Sequence, residues 1–157
     1  VSRAHNLATM NIAATLRERL RGGPCKVFVA DIRVRVQRAQ AYYYPDIVVT
    51  CDPADTDDYQ VTRPVLIVEV LSPATEAIDR REKLLAYQTL ESLKEYVLVS
   101  QERRRVEVVR RGEGGSWWQD IIDETDGEAA GIRLESVGVT LALAQIYEGI
   151  ALGRQPN

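Results

Sequence analysis

The sequence predicts a mixed α/β (α+β) domain, and three observations predict it. A helix-period apolar stripe opens the chain, several short apolar or alternating segments follow, and a second helical pattern lies between two of the most apolar strands. At 157 residues the chain is long enough for one well-buried domain and too short for two ordinary ones. No internal repeat, low-complexity tract or linker divides it, so residues 1–157 read as a single domain.

The elements follow in order. Residues 3 to 21 form an amphipathic helix with Ala4, Leu7, Ala8, Ile12, Leu16 and Leu20 on one stripe, ended by Gly22-Gly23-Pro24. Lys26 to Ala30 is a short strand. Ile32, Val34 and Val36 alternate with Arg33, Arg35 and Gln37, the pattern of a strand with one wet face. Residues 43 to 50 form a strand that carries Asp46, and Asp52 to Asp58 is a loop by composition. Pro64 to Leu71 is an apolar strand, after which Ser72 or Thr75 caps a helix running to about Leu90. Glu95 to Ser100 is another apolar strand. Arg105 to Val109 and Trp117 to Ile122 read as a hairpin joined by Gly112-Glu113-Gly114-Gly115, and Leu141 to Leu152 as a short helix preceded by a small strand.

Composition excludes several classes. A net charge of −3 and a pI near 5.3 argue against a protein that coats nucleic acid non-specifically. No apolar stretch approaches the roughly 20 residues that span a bilayer, and no signal peptide is visible, so no membrane partner is expected. Cys25 and Cys51 have neither metal-ligand spacing nor the density of a secreted scaffold, which points to a reducing cytoplasm. The chain begins with Val1 rather than methionine and reads as an N-terminally truncated piece of a longer product.

The residue that directs the functional reading is Glu69, a charge inside the apolar run Pro64-Val65-Leu66-Ile67-Val68-Glu69-Val70-Leu71. Burying an unpaired carboxylate costs several kcal/mol, so a cation or strong donor must await it. Asp46 sits in a similar setting, Tyr44-Pro45-Asp46-Ile47-Val48-Val49. Taken singly, Asp46 reads as a turn residue and Glu69 as half of an ion pair. Together, two carboxylates brought close resist ionisation unless a cation lies between them, and oxygen ligands suit Mg²⁺ or Mn²⁺ rather than zinc. On the following helix Asp79, Lys83 and Tyr87 are spaced i, i+4, i+8 along one face. That face is either a solvated Asp–Lys pair or the source of the site's positive charge.

These strings together resemble one family. Tyr43-Tyr44-Pro45-Asp46-Ile47-Val48-Val49, then Pro64 to Thr75, then Asp79-Arg-Arg-Glu-Lys83-Leu-Leu-Ala-Tyr87, then Glu95-Tyr-Val-Leu-Val99 are similar to the Uma-two family of endonucleases. That family belongs to the PD-(D/E)xK nuclease superfamily. The resemblance covers nearly the whole chain, including His5 on the leading helix. It implies a restriction-endonuclease-like α-β-β-β-α-β core with a mixed central sheet, flanking helices and a C-terminal β-hairpin extension. It also implies Mg²⁺ (or Mn²⁺) held by Asp46, Glu69 and the Val70 carbonyl, polarising a scissile phosphate and lowering the pKa of the attacking water. One departure stands out: the superfamily's usual lysine lies two residues after the second acid, where this chain has Leu71. Lys83 is the candidate replacement, as in superfamily members that supply the lysine from the next helix, with Asp79, Tyr87, Ser72 and His5 in support. Family members tend to extend further at the N-terminus, where a contributing acid can lie.

The expected function is metal-dependent hydrolysis of DNA by a cytoplasmic endonuclease that can act as a homodimer. A non-catalytic interaction module that keeps the fold is the rival, and a small phosphate-ester hydrolase is a third class without distinctive support. Other features read as structural: arginines at 80–81, 103–105 and 110–111 as solvated faces, and His5 as a helix-surface residue. Trp117-Trp118 on a strand puts one ring on each face. The acidic loop at 52–58 lacks the glycine and terminal glutamate of a calcium loop.

Overall fold

A computed structural model describes residues 1–72, 76–127 and 129–152, with residues 76–79 by backbone alone. Helix α1 (Arg3–Leu20) starts at Ser2, whose hydroxyl accepts from the His5 amide at 3.0 Å, and buries Ala8, Ile12 and Leu16. It stops at Arg21, where Gly22 turns the chain with φ +83°, a conformation that disfavours any side chain.

Strands β1 (Lys26–Val29), β4 (Ile47–Thr50), β6 (Pro64–Val70), β7 (Glu95–Val99), β8 (Arg105–Arg111) and β9 (Trp117–Asp123) form one sheet in the order β1-β4-β6-β7-β8-β9. The pair β6·β7 is parallel and the others are antiparallel, so the sheet is mixed. The parallel pair exists because α2 (Glu76–Tyr87) carries the chain across between β6 and β7. Side-chain alternation divides β6 cleanly. Leu66, Val68 and Val70 face a core shared with α1 and the C-terminal segment, while Ile67 faces a second core shared with Tyr87 and Leu90 after α2. Burying one such aliphatic side chain is worth roughly 1.5–3 kcal/mol, and both cores contain several.

The structure departs from the sequence reading in four places. The strand expected over residues 43 to 50 is broken into β3 (Ala41–Tyr43) and β4, with Asp46 just before β4. Pro45 offers no N–H to a ladder, and the chain passes there from one sheet to another. The alternating segment β2 (Arg33–Val36) leaves the main sheet and joins β3 and the two-residue β5 (Gln60–Val61) in a small sheet of order β3-β2-β5. It buries Val34 and Val36 over the α2 side of the molecule. The tail is a hairpin, β10 (Gly131–Leu134) and β11 (Val139–Ala142), and helix α3 has only four residues, Leu143–Ile146. Finally, Cys25 and Cys51 are joined in a disulfide across the β1·β4 pair. The argument for a reducing compartment drawn from the spacing and number of these cysteines therefore falls. The register Lys26↔Thr50 brings the two together, a relation that 26 residues of separation do not reveal. Among the described residues no helix is long and apolar enough to cross a membrane.

Candidate active site

The β4·β6 register pairs Ile47 with Val68, and one step beyond the ladder sets Asp46 opposite Glu69. The join is made by backbone: the Val70 N–H donates to Asp46 Oδ2 at 2.7 Å. In an extended strand a residue's N–H and C=O point to the same neighbour, so the Val70 carbonyl faces the side on which Asp46 lies. His5 closes the other side of Asp46, with Nε2 3.2 Å from Oδ1. The start of α1 is held there by a chain of bonds: Ser2 Oγ donates to Gln101 Oε1 at 2.6 Å, and Gln101 Nε2 donates to the Leu71 carbonyl at 2.6 Å. A histidine read as a helix-surface residue thus touches the first acid.

Glu69 is 7% exposed, and its two oxygens have different partners. Lys83 Nζ lies 3.2 Å from Oε1, and the Tyr96 hydroxyl donates to Oε2 at 2.6 Å. Burial pushes the Glu69 carboxyl above its ordinary value of 4.5, against the opposing pull of Tyr96 and Lys83, and the nearby Asp46 pushes the same way. Burial is thus the main cause of the shift, and Lys83 and Tyr96 offset it only in part.

Tyr87 is fully buried and packs edge-to-face between Tyr43 and Tyr96, with ring centroids 5.3 and 5.2 Å away. It props the ring whose hydroxyl binds Glu69, so it acts on the acid through Tyr96. Ser72 is exposed just past β6 and makes no side-chain hydrogen bond among the described residues. The Asp79 side chain and the Thr75 cap lie outside the described residues. Leu71 bonds β7 through its N–H to the Val99 carbonyl at 2.8 Å, as a strand-end residue would.

Two features escaped the sequence reading. Tyr96 was passed over because one hydroxyl in Glu95-Tyr-Val-Leu-Val99 gives no local hint of its partner. Glu107 repeats the signal that singled out Glu69, an acid inside an apolar strand, here Arg105-Val-Glu-Val-Val109. Cross-strand register puts Glu69, Leu98 and Glu107 in one row on the α2 face. Glu107 is buried and bonded by Arg80, Arg105 at 3.1 Å and Gln119 at 2.8 Å. Arg80 and Lys83, one turn apart on α2, thus fasten the helix to two acids of the sheet.

The donor set fits a hard divalent cation. Carboxylate oxygens retain acceptor capacity beside their present donors, and two acids plus one carbonyl, with water completing the shell, is the kind of ligand set Mg²⁺ uses. Among the described residues no group of three or more His, Cys, Asp or Glu side chains is gathered as a ligand cluster.

The chain is similar to several known proteins. The Uma2 family model, described as "Putative restriction endonuclease", matches residues 1–144. Two uncharacterised proteins of Synechocystis sp. are similar: slr1290 is 33% identical over 96% of this chain and 77% of its own, and sll1609 is 34% identical over 82% and 73%. A crystal structure from Anabaena variabilis, described as "a putative nuclease belonging to DUF820", superposes with a TM-score of 0.74 over 94% of this chain and 82% of that one. At 13% identity that likeness is one of fold.

Proposed function

The chain belongs to the Uma2 family, and from that premise we propose that it is a metal-dependent endonuclease that hydrolyses phosphodiester bonds of DNA. The observation that carries the reading is geometric: Asp46, oriented by the Val70 N–H and His5, stands opposite the buried carboxylate of Glu69, with the Lys83 ammonium against it.

Asp46, Glu69 and the Val70 carbonyl would hold Mg²⁺ or Mn²⁺, which supplies Lewis-acid polarisation of the phosphate and acidification of a water when bound. The protein's own groups set up the rest. His5 and the Val70 N–H hold the Asp46 carboxylate in one orientation, and Tyr96, backed by Tyr87, does so for Glu69. The Lys83 ammonium, which in this site stands where Leu71 offers nothing, is placed to stabilise charge developing on the phosphate. Hydrolysis then breaks the P–O bond to the leaving strand, water adds to phosphorus, and a proton passes to the departing oxygen.

The rival is a non-catalytic module that keeps the fold. It is favoured by one observation: Lys83 already neutralises Glu69, as a structural ion pair would. Nicking of supercoiled plasmid separates the two. Wild type with Mg²⁺ or Mn²⁺ should nick and Glu69→Ala should not; equal activity, or none in either protein at any divalent concentration, rejects the enzyme.

A further inference from the structure

A cleft of about 850 Å³ opens between the small sheet and the turn that follows α2, far from the carboxylates. Its walls carry Arg35, Arg38 and Arg63 against a single acid, Glu91. Arg63 is paired with Asp52 at 3.5 Å, but Arg35 and Arg38 have no acidic partner among the described residues. In a chain of net charge −3 this is a local concentration of cations facing open space.

The cleft also leads somewhere. Val34 and Val36 fill the core, so alternation turns Arg33 and Arg35 to the outer face of β2, beside Tyr42 of β3. Arg33 stacks on the Tyr42 ring at 4.2 Å, and Tyr42 and Tyr44 are 48% and 60% exposed. Tyr44 runs through Pro45 directly into Asp46. The cations of β2, the part-exposed rings of Tyr42 and Tyr44, and Asp46 thus lie within one short stretch of chain that runs from β2 through β3 to the start of β4. That is the arrangement that grips a phosphate backbone and offers faces to bases. Arg63 and Glu69 stand six residues apart along β6, roughly 20 Å, which matches about six phosphates of one DNA strand.

We propose that the Arg35–Arg38 cleft is a second anchor for DNA, holding backbone phosphates about six nucleotides from the one presented to Asp46 and Glu69. This deepens the nuclease reading and rests on it for the choice of DNA, but its test needs no cleavage. A fluorescent hairpin duplex is titrated in EDTA at several salt concentrations with wild type, with the Arg35→Ala/Arg38→Ala double variant, and with Arg19→Ala/Arg21→Ala on the exposed side of α1. The double variant should lose up to about two units of the slope of log K against log salt, and bind about tenfold more weakly at low salt. The α1 variant and all melting temperatures should match wild type. An unchanged slope, an equal loss in the α1 variant, or a larger loss on an RNA hairpin than on DNA overturns the proposal. A slope reduced in the double variant, together with a wild type that never cuts DNA, leaves the anchor standing and removes the nuclease.

Discussion

At the scale of single residues, Glu69 and Lys83 carry the sharpest expectations. Lys83→Ala should reduce cleavage on the order of 100-fold or more, the usual result of losing a positioned charge or proton-transfer group. On a solvated helix face Lys83 would matter little to folding, but here it is a partner of a 7% exposed carboxylate. A cost of about 1–3 kcal/mol is expected instead, smaller in a Glu69→Gln background, and denaturant melts of the four proteins of this cycle would measure it. Glu69 itself sets a pH signature in divalent-free buffer. An acid whose pKa is higher folded than unfolded supports the fold most below its ordinary value of 4.5, and that support is lost as pH climbs through the raised value. Stability of wild type relative to Glu69→Gln should therefore fall as pH rises from the ordinary value through the raised one. A difference that stays flat or grows would contradict the raised pKa.

At the scale of elements, the site is assembled by three of them meeting at the end of β6. The first acid precedes β4, the second ends β6, and α2 and the start of α1 lay Lys83 and His5 against them. His5→Ala should thus reduce activity by loosening Asp46 while leaving the metal-free fold little changed, read as kcat falling at unchanged melting temperature. The Cys25–Cys51 link fastens the edge strand β1, on which α1 packs, to β4. Cross-links of this kind are worth about 2–4 kcal/mol, so reduction or Cys51→Ser should lower the melting temperature by roughly 4–16 °C. Loss of a few tenths of a degree would show that β1 is secured by packing alone.

At the scale of the whole molecule, the proposed metal site implies that a divalent ion bound by Asp46 and Glu69 would stabilise the fold. Millimolar Mg²⁺ or Mn²⁺ should raise the wild-type melting temperature by mass action, and Glu69→Gln should blunt the rise. Indifference of wild type to both ions would count against the metal site. For self-association we propose the outer edge of the β8–β9 hairpin. Trp117 packs inward beneath Arg111, its ring 4.4 Å from the guanidinium, while Trp118 is 52% exposed beside Arg110 on the edge strand. A homodimer through that edge would cover the outer ring and bring two sites to one duplex. Light scattering at tens of micromolar should show the dimer, and Trp118→Ala should shift it to monomer.

Much of this was legible along the chain. The helices, the apolar strands and the hairpin announced themselves through period, because alternation and the 3.6-residue repeat are local properties. Asp46, Glu69 and Lys83 stood out for the same kind of reason, two acids among apolar neighbours and a lysine one helix later. What only the tertiary structure decided is everything that depends on register and crossing. Pro45 split one expected strand and sent β2 and β3 to a separate sheet. Glu107 and Tyr96 joined the face of Glu69 across two strand pairings, His5 reached Asp46 across the whole N-terminal helix, and Cys25 met Cys51. Such meetings are set by how strands pair and how helices lie on them: a one-residue slip sends a strand's side chains to the opposite face, and turns a helix's by about 100°.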